Sequence, residues 1–316
     1  MTALLPARMQ MMLTRRFIGL LMLLLLQAAH QAAAQGDKTI RLVVGNAPGG
    51  VNDSVARSLA AELTKVLGQR VVVENVPGAS GQSAIDTVSE TKANDEVILL
   101  AGPEALVPGA RDKVKPAAAV GGVPTVLVAR PNKTLSTLKS GGKVTVHASV
   151  GLYSELLAEQ LQLSGSKPDS AKPSIPVMQV LDGTVDAAVV PYPTAKLEIS
   201  KGQLMVLAAN GGGNLPALSY ASKLSLPKVG ADSALLGLYV PMNTPQDRIE
   251  ALGIATRKAL QNKDVQKKFE DIGITPRSSS TNEFRNDVQV QYSIVADACK
   301  KKTTCEAYQQ CPRPCP

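Results

Sequence analysis

Two apolar runs, each closed by a glycine-rich turn and each leading into a helix-like segment, stand in succession near the start of this chain. Few architectures accommodate that order. Ile40 to Val44 reads as a short strand, and Gly45 to Gly50 as its turn. Asn52 or Asp53 is placed to cap a helix running to Leu67, with Gly68 as its stop. Val55, Leu59, Leu63 and Val66 fall on one stripe of that helix. Val71 to Val73 is the next strand, Pro77 to Gly81 the next turn, and a short helix follows with Ile85 and Val88 inward. Val97 to Ala101 is a third strand. This alternation predicts parallel α/β layers.

The remaining chain continues the pattern. Gly102 to Pro124, rich in Pro, Gly and Ala, reads as a loop passing toward a second unit. Strands are expected at Thr125–Ala129, Lys143–Ala148, Val185–Val190, Leu204–Ala208 and Leu235–Val240. Helices are expected over about Leu152–Leu163, from Thr244-Pro245 to Gln261, and over Asn282–Ala298. Gly211-Gly212-Gly213 is a flexible turn.

The two glycine turns, Ala47-Pro48-Gly49-Gly50-Val51-Asn52-Asp53 and Pro77-Gly78-Ala79-Ser80-Gly81, share one context, strand before and helix after. In a parallel sheet both lie at the carboxyl ends of their strands, where ligands bind in open α/β folds. Missing side chains let a ligand approach the backbone, and helix amino termini favour an anion. A carboxylate or phosphate site built without arginine is one reading. Glycine serving only to permit tight turns is the other, and both stay open at this point.

The chain begins with a basic stretch ending in Arg15-Arg16, then an apolar run from Phe17 to Leu26, then Ala32-Ala33-Ala34. That order is a cleavable secretory leader over residues 1–34, with an apolar run too short to span a bilayer. Export to the periplasm is the expectation. Its removal lowers the net charge from +8 to +5. Such a modest charge, with three Phe, six Tyr and no Trp, excludes a stacking platform for nucleic acid. His147 is the only histidine beyond the leader, so a histidine-rich metal site is excluded by count, and nothing around it resembles a nucleophile elbow. No cofactor and no enzymatic activity are expected. Cys299, Cys305, Cys311 and Cys315 all lie in the tail. In an oxidising compartment two disulfides are the default, with three connectivities possible, and a four-thiolate zinc site, for which the spacing lacks C-x-x-C pairs, is the lesser alternative.

The stretch Ile40 to Thr87, and within it APGGVNDSVARSLAAELTKVLGQRVVVENVPGASGQSAIDTV, resembles the periplasmic solute-binding proteins of tripartite tricarboxylate transporters, also called the Bordetella uptake gene family. Weaker resemblance continues to about Arg277, through Leu181 to Asp186, Lys201 to Leu204 and Val240 to Pro245. It implies an α/β type II periplasmic-binding-protein (Venus flytrap) fold with two α/β lobes and a ligand cleft between them. Residues 35–124 and 235–298 would form the first lobe, 125–234 the second, and 299–316 a Cys-rich tail. It further implies a monomer that binds a small organic acid and hands it to a membrane transporter or sensor. By motif position Pro48, Gly49, Gly50, Asn52 and Asp53 match the first ligand loop. Pro77, Gly78, Ala79, Ser80 and Gly81 match the second, with Gln82 and Ser83 following. In the second lobe the family's Gly/Ser-rich loop is replaced by the stretch from His147 to Ser154, leaving Ser149, Tyr153 and Ser154 as candidates, with Tyr192 as a possible cleft-lining or packing residue. An acidic position that commonly follows the G-x-V-D motif aligns with Val190. Capture of a carboxylate for transport is one reading. A divergent extracytoplasmic sensor or interaction protein, with altered or lost binding, is the alternative.

Overall fold

The computed structural model describes residues 39–91, 96–102, 105, 108–147, 158, 161–163, 167–169, 175–211, 215, 218, 222–223 and 234–300. The expected leader and most of the helix expected at Leu152–Leu163 lie outside them. So do Ser149, Tyr153, Ser154, Cys305, Cys311 and Cys315.

The first unit opens with β1 (Ile40–Val44), α1 (Val51–Leu67), β2 (Val71–Asn75), a 3-10 turn at Ala79–Gly81, α2 (Gln82–Ser89), β3 (Val97–Ala101), α3 (Pro108–Arg111) and β4 (Val114–Val123). The chain crosses to a second sheet through β5 (Thr125–Ala129), α4 (Leu135–Lys139), β6 (Val144–His147), β7 (Lys167–Asp169), α5 (Ile175–Asp182), β8 (Ala187–Pro191), α6 (Tyr192–Ser200), β9 (Met205–Asn210) and β10 (Ser222–Lys223). It returns as β11 (Ala234–Pro241), α7 (Gln246–Leu260), α8 (Lys263–Ile272), β12 (Thr275–Pro276) and α9 (Thr281–Lys300), which carries Cys299.

One sheet has the order β12-β4-β11-β3-β1-β2 and the other β10-β9-β5-β8-β6-β7. In each, three strands run parallel, and a fourth, β11 or β5, enters antiparallel between its neighbours. Every residue of β3, β5, β8 and β11 is buried, as strands covered by helices on both faces require. Alternation along β1 divides the core of the first unit. Leu42 and Val44 pack with Val55, Leu59 and Leu63 of α1 and with α7 and α8, whereas Val43 packs with Ile85 and Val88 of α2 and with Phe284 of α9. Burying each such Leu or Ile contributes about 1.5–3 kcal/mol. Gly68 stops α1 in the left-handed conformation, as expected of it (φ 65°).

The largest departure from the expected elements is β4. The Pro/Ala/Gly-rich segment expected as a loop holds a ten-residue strand paired along β11. Two irregularities in register, one between Leu238 and Tyr239 opposite Pro116, let the ladder pass a residue with no N–H. Packing explains the small residues at the centre of this sheet. A Cβ on Gly237 would sit 2.1 Å from Phe284 Cζ, so the ring occupies the space a side chain would need. Phe284 also meets Tyr239 edge-on at 5.8 Å between centroids. Two helices unmarked in the sequence pattern, α6 and α8, meet across the two units. Lys196 Nζ donates to Glu270 O (3.0 Å) and to Asp271 O, the terminal carbonyls of α8. Tyr192, 3% exposed, lies against the Gly273 cap of α8, and its N–H donates to Pro124 O (2.8 Å) where the chain first crosses over. Of the two roles open to Tyr192, packing at the crossover is the one observed.

Candidate functional site

The two glycine turns lie side by side. β1 and β2 are parallel neighbours with Val44 opposite Asn75, so both turns leave the same edge of the sheet. Val76 N–H donates to Val44 O (2.9 Å), extending the pairing into the second turn. At their closest approach a Cβ on Gly45 would lie 2.9 Å from Gly81 Cα, so only a glycine lets the two backbones come this near.

Asp53 holds this arrangement from beneath. Its helix has Gly50 as N-cap, with no side-chain cap, so neither Asn52 nor Asp53 occupies the capping position expected of them. Asp53 sits in the first turn instead, 3% exposed, and reaches back. Its Oδ2 accepts from Gly49 N–H (2.9 Å) and Arg57 Nε (2.9 Å), and its Oδ1 accepts from Asn75 Nδ2 (2.9 Å). The Arg57 Nη2–Oδ1 distance is also 2.9 Å. Asn75 is the tie between the two turns. Its Nδ2 donates to Asn46 O (3.0 Å) as well as to Asp53, and its Oδ1 accepts from Arg57 Nη2 (3.2 Å). Asn52 Nδ2 closes the first turn on Asn46 Oδ1 (2.8 Å). The Arg57 guanidinium is the main cause holding the Asp53 carboxyl down at about 2, with the Gly49 and Asn75 donors adding to it against the opposing effect of burial. The carboxylate is therefore charged, buried and already bonded on both oxygens, and its work is to fix the turn.

The second turn is built from backbone conformations that side chains resist. Gly78 has φ 141° and Gly81 φ 95°, and between them Ala79 adopts φ 45°. A left-handed alanine costs about 1 kcal/mol. A Cβ on Gly78 would meet Ser83 Oγ at 2.7 Å, so Ser83 lies directly behind the turn. Gln82 is directed along its own helix, its Nε2 donating to Asp86 Oδ1 (2.7 Å), an oxygen shared with Lys113 Nζ (2.5 Å). Pro48, Gly49, Pro77, Gly78 and Ala79 are exposed, which leaves the outer rim of both turns open.

Thus the structure brings together the first-unit candidates from Pro48 to Asp53 and from Pro77 to Ser83. Reasoning from sequence missed Asn46, Arg57 and Asn75. Arg57 was signalled by its i,i+4 spacing from Asp53, and Asn75 by its place directly before the second turn. In the second unit, the segments that follow β6 and β7, the counterparts of the two turns, lie outside the described residues with Ser149, Tyr153 and Ser154. Among the described residues no cluster of His, Cys, Asp or Glu could hold a metal ion, and no helix is long and apolar enough to cross a membrane.

The family described as tripartite tricarboxylate transporter family receptor matches residues 55–303. Protein BugT of Bordetella pertussis is 30% identical over 278 residues, covering 78% of this chain and 84% of BugT. MatC of Rhodopseudomonas palustris, solved with bound malate, is similar in structure with a TM-score of 0.65 at 24% identity, over 82% of this chain and 99% of MatC. Rpa4515 of R. palustris, solved with adipate, gives a TM-score of 0.68 at 19% identity, over 86% of this chain and 98% of its own. Such likeness establishes the fold, that of the two-lobed periplasmic binding proteins.

Proposed function

This chain belongs to the tripartite tricarboxylate transporter receptor family, and we propose that it captures a small organic acid, a dicarboxylate in the first instance, between two lobes and presents it to a transporter of that class. In this reading residues 1–34 direct export to the periplasm, 35–124 with 235–298 form the first lobe, and 125–234 form the second. The mature protein acts as a monomer.

The observation that carries the proposal is the pair of abutting turns at the carboxyl ends of β1 and β2, both with positive-φ residues and the second with an alanine among them. Backbone strain of this kind persists where the surroundings hold it for a purpose. The N–H groups of Gly78, Ala79 and Ser80 would supply backbone donors to one carboxylate, while Pro48 to Gly50, whose Gly49 and Gly50 N–H groups are already given to Asp53 and to Ala47 O, would wall the site without a charged side chain at that end. Asn52, Gln82 and Ser83 flank them, and Asp53 stays behind as the anchor. The other carboxylate would meet the second lobe, around Ser149, Tyr153 and Ser154. Contacts to both lobes exist only when the cleft is shut, so ligand shifts the population toward closure. Malate in MatC and adipate in Rpa4515 are both dicarboxylates, which supports that class as the first to test.

Thermal unfolding of the mature protein in the presence of malate, adipate, tricarboxylates and small aromatic acids tests this. A true ligand at 100 times its dissociation constant adds about 2.7 kcal/mol of stability. Gly78→Val, which forces a side chain onto Ser83, should abolish that gain. No gain with any carboxylate would remove the transport reading and favour a sensor or interaction role on the same scaffold. Gain undiminished in Gly78→Val would place the site elsewhere.

A further inference from the structure

We infer that the first unit carries a second small-molecule site, for an apolar monocarboxylate, at the end of its sheet opposite the glycine turns. β11 runs antiparallel to β3 and β4, so its carboxyl end lies beside their amino ends. β1 is parallel to β3 and its turn leaves from the carboxyl end. The end of β11 and the paired turns are therefore at opposite edges. At the β11 edge is a cavity of about 290 Å³, near the lower bound of small-molecule sites. Its apolar lining comes from Val114, Tyr239, Met242 and Val288. Met242 is 49% exposed, so the apolar wall is open to ligand from the solvent side.

Three cations share this cavity: Arg111, Lys115 and Arg285. Each is held by a neutral acceptor. Arg111 donates to Gln289 Oε1 (3.2 Å) and lies 4.4 Å over the Tyr292 ring centroid. Lys115 Nζ donates to Thr244 O (2.7 Å), and Arg285 Nη2 to Gln246 Oε1 (2.8 Å). Among the described residues none of the three lies in an ion pair. Among the described residues the cavity thus offers positive charge in no ion pair, on side chains already restrained, which lowers the entropic cost of engaging an anion.

Apolar floor and cationic rim together select the ligand. A small hydrophilic dicarboxylate would leave the floor unused, and an uncharged lipid would leave the rim unused. A carboxylate on a chain of about eight carbons, or on a phenyl ring, uses both and suits the volume. The inference is independent of the cleft reading.

The test is calorimetric titration of the full-length mature protein with octanoate, with octanol as the uncharged control. Saturable octanoate binding is expected, weakened at least tenfold in Arg285→Gln and in Val288→Phe, which fills the cavity, and unchanged in Gly78→Val. Octanol should bind at least tenfold more weakly than octanoate. Absence of saturable binding to the wild type would overturn the proposal. So would an affinity unaltered in Arg285→Gln, a surface change that leaves folding aside should Val288→Phe not fold. Loss of octanoate binding in Gly78→Val would instead put the ligand at the turns and equally overturn it.

Discussion

In the first sheet the ordering carboxylate, Asp53, lies at the carboxyl ends of the strands. In the second sheet Asp186 lies at the amino ends, directly before β8. The two sheets otherwise share one plan, with the third strand flanked by the first and by an entering antiparallel strand. Asp53 is buried and bonded to a turn, a helix residue and a neighbouring strand. Asp186 accepts from Lys143 N–H (2.9 Å) and pairs with Lys133 (2.6 Å), its side chain 26% exposed. Both carboxyls are held below the usual carboxylate range, each chiefly by a hydrogen bond from its cation. The comparison teaches that a shared topology does not place polar investment alike. Among the described residues, the carboxylate of the first unit secures the edge where a ligand would be received, and that of the second secures the opposite edge. In the G-x-V-D segment from Gly183 to Asp186, the aspartate thus ties the start of β8 to the residue before β6 and to Lys133.

The strongest way to break this contrast is at the contact between the turns. Gly45→Val should remove carboxylate binding altogether and cost about 2–3 kcal/mol of stability, because its Cβ alone meets backbone at 2.9 Å. Chemical denaturation with parallel ligand titration reads both, and a variant that binds like wild type would show that the turns need not touch.

Next is a matched pair of carboxylate removals. Asp53→Ala strands Gly49 N–H and an Asn75 donor and should cost about 2 kcal/mol, with ligand affinity falling at least tenfold. Asp186→Ala loses a partly exposed pair and should cost about 1 kcal/mol or less, with affinity unchanged. Equal losses of affinity from the two would end the distinction.

A comparable effect is carried by pH. The Asp53 carboxyl falls from the ordinary 3.8 to about 2 on folding. Its contribution, at most about 2.5 kcal/mol, is complete above pH 3.8 and is lost as pH falls toward 2. Asp53→Asn should flatten that part of the acid limb in urea titrations at stepped pH, and an unaltered limb would show the carboxylate to be uncoupled from folding.

The smallest effect is expected where the units meet. Lys196→Met keeps the apolar stem but gives up the donors to the α8 carbonyls, for under about 1 kcal/mol and under about threefold in affinity. A large change in affinity would mean that the α6–α8 contact takes part in closure.

Much of the first unit was legible locally. Val55, Leu59 and Leu63 announce the buried face of α1, Gly68 its end, and the runs at Ile40 and Val97 their strands. These features depend on side-chain periodicity and backbone freedom, which neighbours in sequence carry. β4 was illegible for the opposite reason. Pro116 and the surrounding Ala and Gly speak against a strand, and only the bulged pairing with β11 makes one. α8 was likewise missed because it begins only three residues beyond Leu260 behind an Asn262 cap, whose Oδ1 accepts from Asp264 N–H (2.8 Å).

The residues themselves determined that this chain alternates strands and helices, that two glycine turns follow its first strands, and that the motif around them is that of a solute-receptor family. What only the tertiary structure decided is what Asp53 does. The local sequence offers a helix cap. Bringing β2 alongside β1 places Asn75 within 2.9 Å of the carboxylate, and with Arg57 and Gly49 the anchor is complete. Hydrogen bonds act over about 3 Å and chain separation is no guide to them, so a contact across 22 residues, as between Asp53 and Asn75, exists only once the sheet has formed.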